Sequence, residues 1–204
     1  LIFKQTANKW KYISESAIDT GVAASIVRAL SFGFPDVSVS YYDHTRWYSS
    51  RIDNEIEYEQ KMTGQKAVII SQSEAFKQND FKIFKIMIIT FDQKRMMAVR
   101  AMLDRLQIPG ISIQQSGTAY LEITSIDAKK SRGIDYIMCK EALHTDETAG
   151  FGDGHNDLPM LNMVGLPIVM ANALDEIKRV AKFVTKSNEE NGVAFALKTV
   201  PDFK

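Results

Sequence analysis

The sequence has one cysteine, no excess charge of either sign and no apolar run of membrane-spanning length. Each absence removes a class of protein. With Cys139 alone no intramolecular disulfide can form, which suits a reducing cytoplasm, the expected location. Cys139 ends the apolar stretch Tyr136-Ile137-Met138-Cys139 of an expected helix, so it is expected to be a buried structural thiol, not a nucleophile. The 25 basic residues balance the 25 acidic ones, so nothing draws the whole chain to nucleic acid or anionic lipid. The lack of a long apolar run excludes a helical membrane span. The start, Leu1-Ile2-Phe3-Lys4, reads as the middle of a strand and not as a signal peptide, so the chain is expected to be an internal piece of something longer. There is no internal repeat and no low-complexity segment. His44, His144 and His155 are not at metal-ligand spacing. No feature specifies an oligomeric state.

What is present is enough for one sizeable domain or two small ones: 204 residues, 45% of them hydrophobic. Apolar residues 1–3 and 10–13 flank a turn at 7–9, as in a hairpin. Asp19 or Thr20 caps an expected helix carrying Val22, Ile26, Val27 and Leu30. Val37–Tyr41 alternates as a half-buried strand, with Arg46-Trp47-Tyr48 as its partner. A charged helix spans 53–63 and stops at Gly64. A strand at 66–70, a polar connection at 72–80 and a strong strand at 84–89 follow. The helix 93–107 ends at Pro109-Gly110, before an antiparallel pair at 111–113 and 120–123. From residue 130 strands alternate with helices, the pattern of a parallel, doubly wound sheet. The expected fold class is therefore α/β: a Rossmann-like core formed by 1–17 and 117–204, with an α+β domain inserted at 18–116.

The densest chemistry lies in Gly152-Asp153-Gly154-His155-Asn156-Asp157-Leu158-Pro159-Met160-Leu161. A strand end, a tight loop and a helix start are where open α/β sheets place ligands. Small residues let the backbone turn and approach a ligand closely. Asp153 and Asp157 could hold a hard cation such as Mg²⁺ through oxygen. The bland alternative is an acidic helix start with an Asn cap, which the helix dipole favours anyway. His155 is expected to face solvent. Lys130 opens a helix after Glu122-Ile123-Thr124, where the dipole disfavours a cation, and a nearby bound anion would explain it.

These motifs, in this order, resemble the C-terminal half of haloacid dehalogenase superfamily phosphatases of the Cof-like branch, which carry a type IIB cap. The matching runs are Glu122-Ile123-Thr124, Lys130, Gly152–Leu161, Gly165–Ala173 and Val184–Val193. The middle of the chain resembles that branch's cap, through Arg46-Trp47-Tyr48 and Glu59-x-x-Met62-Thr63-Gly64. The resemblance implies an Mg²⁺-dependent phosphomonoesterase of small phosphorylated metabolites, sugar phosphates foremost. By the same resemblance Asp153 and Asp157 serve the metal, Asp157 through the loop and the outer shell. Lys130 contacts the phosphoryl group and the nucleophile, and Asn156 binds phosphate. A phosphoryl group in transfer spreads charge over its oxygens, so a cation and a lysine suit it, and an Asn donates without adding charge. Departures are Ser131 for a glycine, Ala171 for a glycine, and Pro159 in a first helical turn, where proline is tolerated.

The family's nucleophile motif, Asp-x-Asp-Gly-Thr, is missing: no Asp here is followed by another two positions on. The family's early Thr-Gly-Arg loop is missing too. The first residues resemble the strand that follows both. The expectation is a chain truncated at its N-terminus and inactive alone, with the aspartyl nucleophile in the missing segment. The alternative is a pseudoenzyme that binds phosphorylated ligands without turnover. Asp19-Thr20-Gly21 resembles the aspartic-protease triplet, but that chemistry needs two such aspartates and only one is present. Tyr41, Tyr42, Trp47 and Tyr48 near Arg46 and Arg51 offer a nucleic-acid reading. Aromatics alternating on a strand are expected to be packing instead.

Overall fold

The computed structural model describes residues 2–6, 9–77 and 81–203, with the main chain alone before Ile13. The expected turn at Ala7 and Asn8, and the end of the polar connection at 78–80, lie outside the described residues. The chain forms two compact units, Leu1–Ala128 and Lys129–Lys204. Among the described residues no helix is long and apolar enough to cross a membrane.

The first unit opens with the antiparallel pair β1 (Ile2–Thr6) and β2 (Lys9–Ser14). Asp19 caps α1 (Thr20–Gly33), its Oδ1 accepting from the Val22 amide at 2.9 Å. Then come β3 (Ser38–Tyr42), β4 (Trp47–Ser49), α2 (Asn54–Thr63), β5 (Val68–Ile69), α3 (Gln72–Ala75), β6 (Lys85–Ile89), α4 (Gln93–Leu106), β7 (Ile111–Ser116) and β8 (Tyr120–Ser125). Six strands make one sheet in the order β5-β4-β3-β6-β8-β7, antiparallel except between β4 and β5. Strand alternation puts Tyr41, Tyr48, Ile86, Ile88, Leu121 and Ile123 on one face. Helical periodicity brings Ile26, Val27 and Leu30 of α1 and Met96, Val99 and Leu103 of α4 onto that face. Each fully buried side chain of this kind contributes about 1.5–3 kcal/mol.

β8 hydrogen-bonds to both β6 and β7. Leu121 and Ile123 therefore pack in the first unit, which runs to Ala128. The polar connection carries a helical turn, because Ser71 and Glu74 form a capping box at the start of α3.

The aromatics pack as expected. Tyr41 and Tyr48 lie in the core, and Trp47 is buried and stacked on Tyr42. Arg51 is spent internally, donating to Asp53 at 2.8 Å and to the Pro35 and Val37 carbonyls. Asp53 in turn caps α2 through the Ile56 amide at 3.1 Å and accepts from the Ser38 hydroxyl. Burial alone would raise its pKa, but Ser38, Arg51 and the Ile56 amide outweigh burial and hold it below the ordinary carboxylate value. A depressed carboxylate stabilises the fold above its unfolded pKa, and that stability is lost as pH falls through the native value. Asp53→Ala is expected to cost about 2–3 kcal/mol, a cap plus charge-assisted bonds. The deficit in denaturant midpoint between variant and wild type should shrink on acidification below pH ~4.

The second unit holds α5 (Lys130–Glu141), β9 (Ala149–Gly152), α6 (Leu158–Leu161), β10 (Leu166–Val169), α7 (Asp175–Lys178), β11 (Phe183–Val184) and α8 (Gly192–Thr199). The strands are parallel, in the order β11-β10-β9. The central strand is continuously apolar because both faces are covered. Val169 packs with Leu161, Ala173 and Ile177 on one face, and Ile168 with Ala196 and Val200 on the other. This is the α/β class expected from the alternating pattern. Cys139 is a correction: it is exposed. No residue of α5 is buried, Ile137 is exposed as well, and the Cys139 thiol lies 3.9 Å from Asp135 Oδ1.

Candidate active site

Three loops leave the C-terminal ends of β9, β10 and β11, and the candidate residues gather there. Gly152 ends β9 and Asp153 follows it. A 3-10 turn, His155–Asp157, then leads into α6, with Pro159 in its first turn. Proline needs no amide partner in a first turn, so the departure at Pro159 is structurally neutral.

Asp157 ties this loop. It is buried, and its Oδ2 accepts from the amides of Asp153 at 3.1 Å and Gly154 at 3.2 Å. Its Oδ1 accepts from Lys130 Nζ, an ion pair with a buried carboxylate and a half-exposed lysine. Burial pushes the Asp157 pKa up, but Lys130 and the two amides outweigh it and hold the group below the ordinary value. The Lys130 ammonium at the start of α5, awkward for the helix dipole, thus has a carboxylate partner 27 positions on.

Gly152 makes the loop possible. A Cβ there would lie 2.6 Å from Asp157 Cβ, so no larger residue fits. Gly152→Ala is expected to push Asp157 off its amides and to cost about 2–3 kcal/mol, as overpacking does. A thermal-denaturation midpoint within a degree of wild type would refute this close fit.

Asp153 is exposed, unlike Asp157. Its Oδ2 accepts from Asn172 Nδ2 at 2.9 Å. Among the described residues nothing hydrogen-bonds to its Oδ1. Asn156 is exposed on the same loop. His155 faces solvent, as expected, and its Nε2 lies 2.5 Å from Glu176 Oε1. The structure therefore brings Lys130 and Asp157 into contact and places Asp153 and Asn156 on the loop that Asp157 ties. Asn172 is the addition: the sequence offered it only as part of a matching run.

The donor set can be tested against a metal. Among the described residues no three His, Cys, Asp or Glu side chains converge. An exposed carboxylate oxygen fits Mg²⁺, which is held by one or two carboxylates and completes its shell with water and substrate phosphate. Asp153 Oδ1 is the oxygen available. Asp157, with both oxygens engaged, supports the loop that carries it.

A small parallel sheet with an acidic loop and an asparagine at its strand ends, and a lysine from α5 paired to that loop, defines an α/β protein with a candidate strand-end site. The chain belongs to the haloacid dehalogenase-like hydrolase family, whose sequence profile matches residues 1–197. It is 30% identical to a protein of Haemophilus influenzae over 164 residues, 80% of this chain and 60% of that one. It is 33% identical to the 5-amino-6-(5-phospho-D-ribitylamino)uracil phosphatase of Bacillus subtilis over 113 residues, 55% of this chain and 39% of that one. The chain thus spans 60% or less of the length of these two relatives. A solved structure from Thermotoga maritima shares the fold with a TM-score of 0.77 at 22% identity, covering 90% of this chain and 67% of that one. A subclass IIB sugar phosphatase of the same superfamily shares it with a TM-score of 0.70 at 22% identity, covering 92% and 69%.

Proposed function

We propose that these residues form part of an Mg²⁺-dependent phosphomonoesterase acting on small phosphorylated metabolites, with sugar phosphates as the first class to test. The observation that carries the reading is the loop after β9. Asp153 presents one unengaged carboxylate oxygen there, beside a loop fixed by the Asp157–Lys130 pair. The family membership and the named phosphatases among its relatives support it.

Mg²⁺, when bound, would offset charge on the phosphoryl oxygens. Asp153 would hold it. Lys130 carries a positive charge on a flexible stem and can reach an anion while keeping Asp157 as its anchor. Asn156 can donate to a phosphate oxygen without changing the local charge. No Asp-x-Asp occurs in these 204 residues, so we place the nucleophile and the general acid/base in a segment outside them. We assign residues 18–116, the bulk of the first unit, to a cap that excludes water and selects the substrate.

The test is phosphate release from a panel of sugar phosphates, nucleotides and other phosphate esters by the full-length protein, with Mg²⁺ and with chelator. Release that requires Mg²⁺ is expected, and the 204-residue chain alone should give none. Steady turnover by that chain would overturn the placement of the nucleophile. Tight binding of phosphorylated ligands by the full-length protein, without any release, would replace the enzyme reading with the pseudoenzyme one.

A further inference from the structure

We infer that Asn172 is a positioning residue for Asp153, a crossbar that decides which carboxylate oxygen is offered to the cation. This rests on the magnesium reading of the site. Asn172 lies in the loop after β10, between the loop after β9 and the loop after β11, and its amide engages both. Its Nδ2 donates to Asp153 Oδ2 at 2.9 Å, and its Oδ1 accepts from the Asn188 main-chain amide at 3.0 Å.

The polarity of this crossbar is fixed by chemistry. A main-chain N–H can only donate, so the atom facing Asn188 must be the amide oxygen. The atom facing Asp153 is then the NH₂ group, a donor matched to a carboxylate. Asp153 has one oxygen engaged and its rotation restrained, leaving Oδ1 as the unengaged oxygen. The register explains why Asn172 can reach. Gly152 pairs with Val169 across β9 and β10, so Asp153 and Asn172 leave neighbouring strand ends in step. Asn172 itself makes no direct contact with the cation in this scheme. It acts through Asp153, as partners behind a metal ligand commonly do.

Two variants separate this role from a merely structural one. Asn172→Ala removes both bonds. Asn172→Asp keeps an acceptor for the Asn188 amide but turns the donor facing Asp153 into a second carboxylate. In the full-length protein, Mg²⁺ affinity is read by calorimetry, and turnover is read against Mg²⁺ concentration. For Asn172→Ala the Mg²⁺ dissociation constant should rise about 10–100-fold. Activity should recover at high Mg²⁺, and the substrate KM at saturating metal should change by less than about threefold, because the deficit lies in metal binding. For Asn172→Asp the melting temperature should match wild type, while kcat at saturating Mg²⁺ stays at least about tenfold lower because Asp153 is repelled from its partner. Wild-type Mg²⁺ affinity in Asn172→Ala, or wild-type kcat in Asn172→Asp, would overturn the crossbar and leave the magnesium reading intact. A wild-type protein that binds no Mg²⁺ would overturn both.

Discussion

Asp153→Asn should abolish Mg²⁺-dependent hydrolysis while leaving the fold in place. The Asn172 amide presents a donor to position 153, since its oxygen is held by the Asn188 amide. An Asn at 153 would therefore turn its own oxygen toward Asn172. Its NH₂ would then point where a carboxylate oxygen now stands free. The cation would lose a negative ligand and meet a donor instead. A loss of about 10³-fold or more in kcat/KM is expected, roughly 4 kcal/mol, the scale of losing a principal electrostatic contact. Mg²⁺ affinity should fall by more than the change at Asn172 produces. The melting temperature should stay within about 2 °C of wild type, because the replaced side chain is exposed and its bond to Asn172 is kept. Unchanged Mg²⁺ affinity would remove Asp153 from the site.

The elements that local chemistry defines were legible in the sequence. α1 begins at Asp19 because its carboxylate meets the Val22 amide. α2 runs from the Asp53 cap to Gly64, whose φ of 69° ends it in the left-handed region. The loop after β9 was legible for a similar reason, since its glycines, carboxylates and asparagine lie within a few residues. Pairings across long separations were not legible. The contact between Lys130 and Asp157 depends on α5 lying beside α6, which no spacing reveals, and only the family resemblance joined the two. Asp153 and Asn172 are 19 positions apart and meet only because β9 and β10 are parallel neighbours in register. A signal did exist: both residues lie within three positions of a strand end in the same parallel sheet. The pairing of β8 with β6 was hidden in the same way, because β6 lies more than thirty residues earlier. The expectation for Cys139 failed because α5 buries none of its residues, so an apolar run there marks no buried face.

Lys130→Ala should be the second severe variant, and Asp157→Asn should show why. Removing the ammonium takes away a positive charge proposed to act on the phosphoryl oxygens, a loss of about 10²–10³ in kcat. It also leaves the buried Asp157 carboxylate with only its two amide donors. Breaking a fully buried pair costs about 3–5 kcal/mol, but Lys130 is half exposed and water can take its place, so about 1–2 kcal/mol of stability is expected. Asp157→Asn is gentler. Its amide oxygen can still accept from the Asp153 and Gly154 amides, which keeps the loop closed. Its NH₂ would then face the lysine, donor against donor, and Lys130 would lose its anchor. Activity should fall about 10–100-fold, the range for a group acting through another. The decisive measurement is the double-mutant cycle in the full-length protein. If Asp157 works by anchoring Lys130, the double variant should be no slower than Lys130→Ala alone. Losses that multiply would mean that Asp157 acts independently of the lysine, through the loop it ties, and that the ion pair itself contributes little to the chemistry.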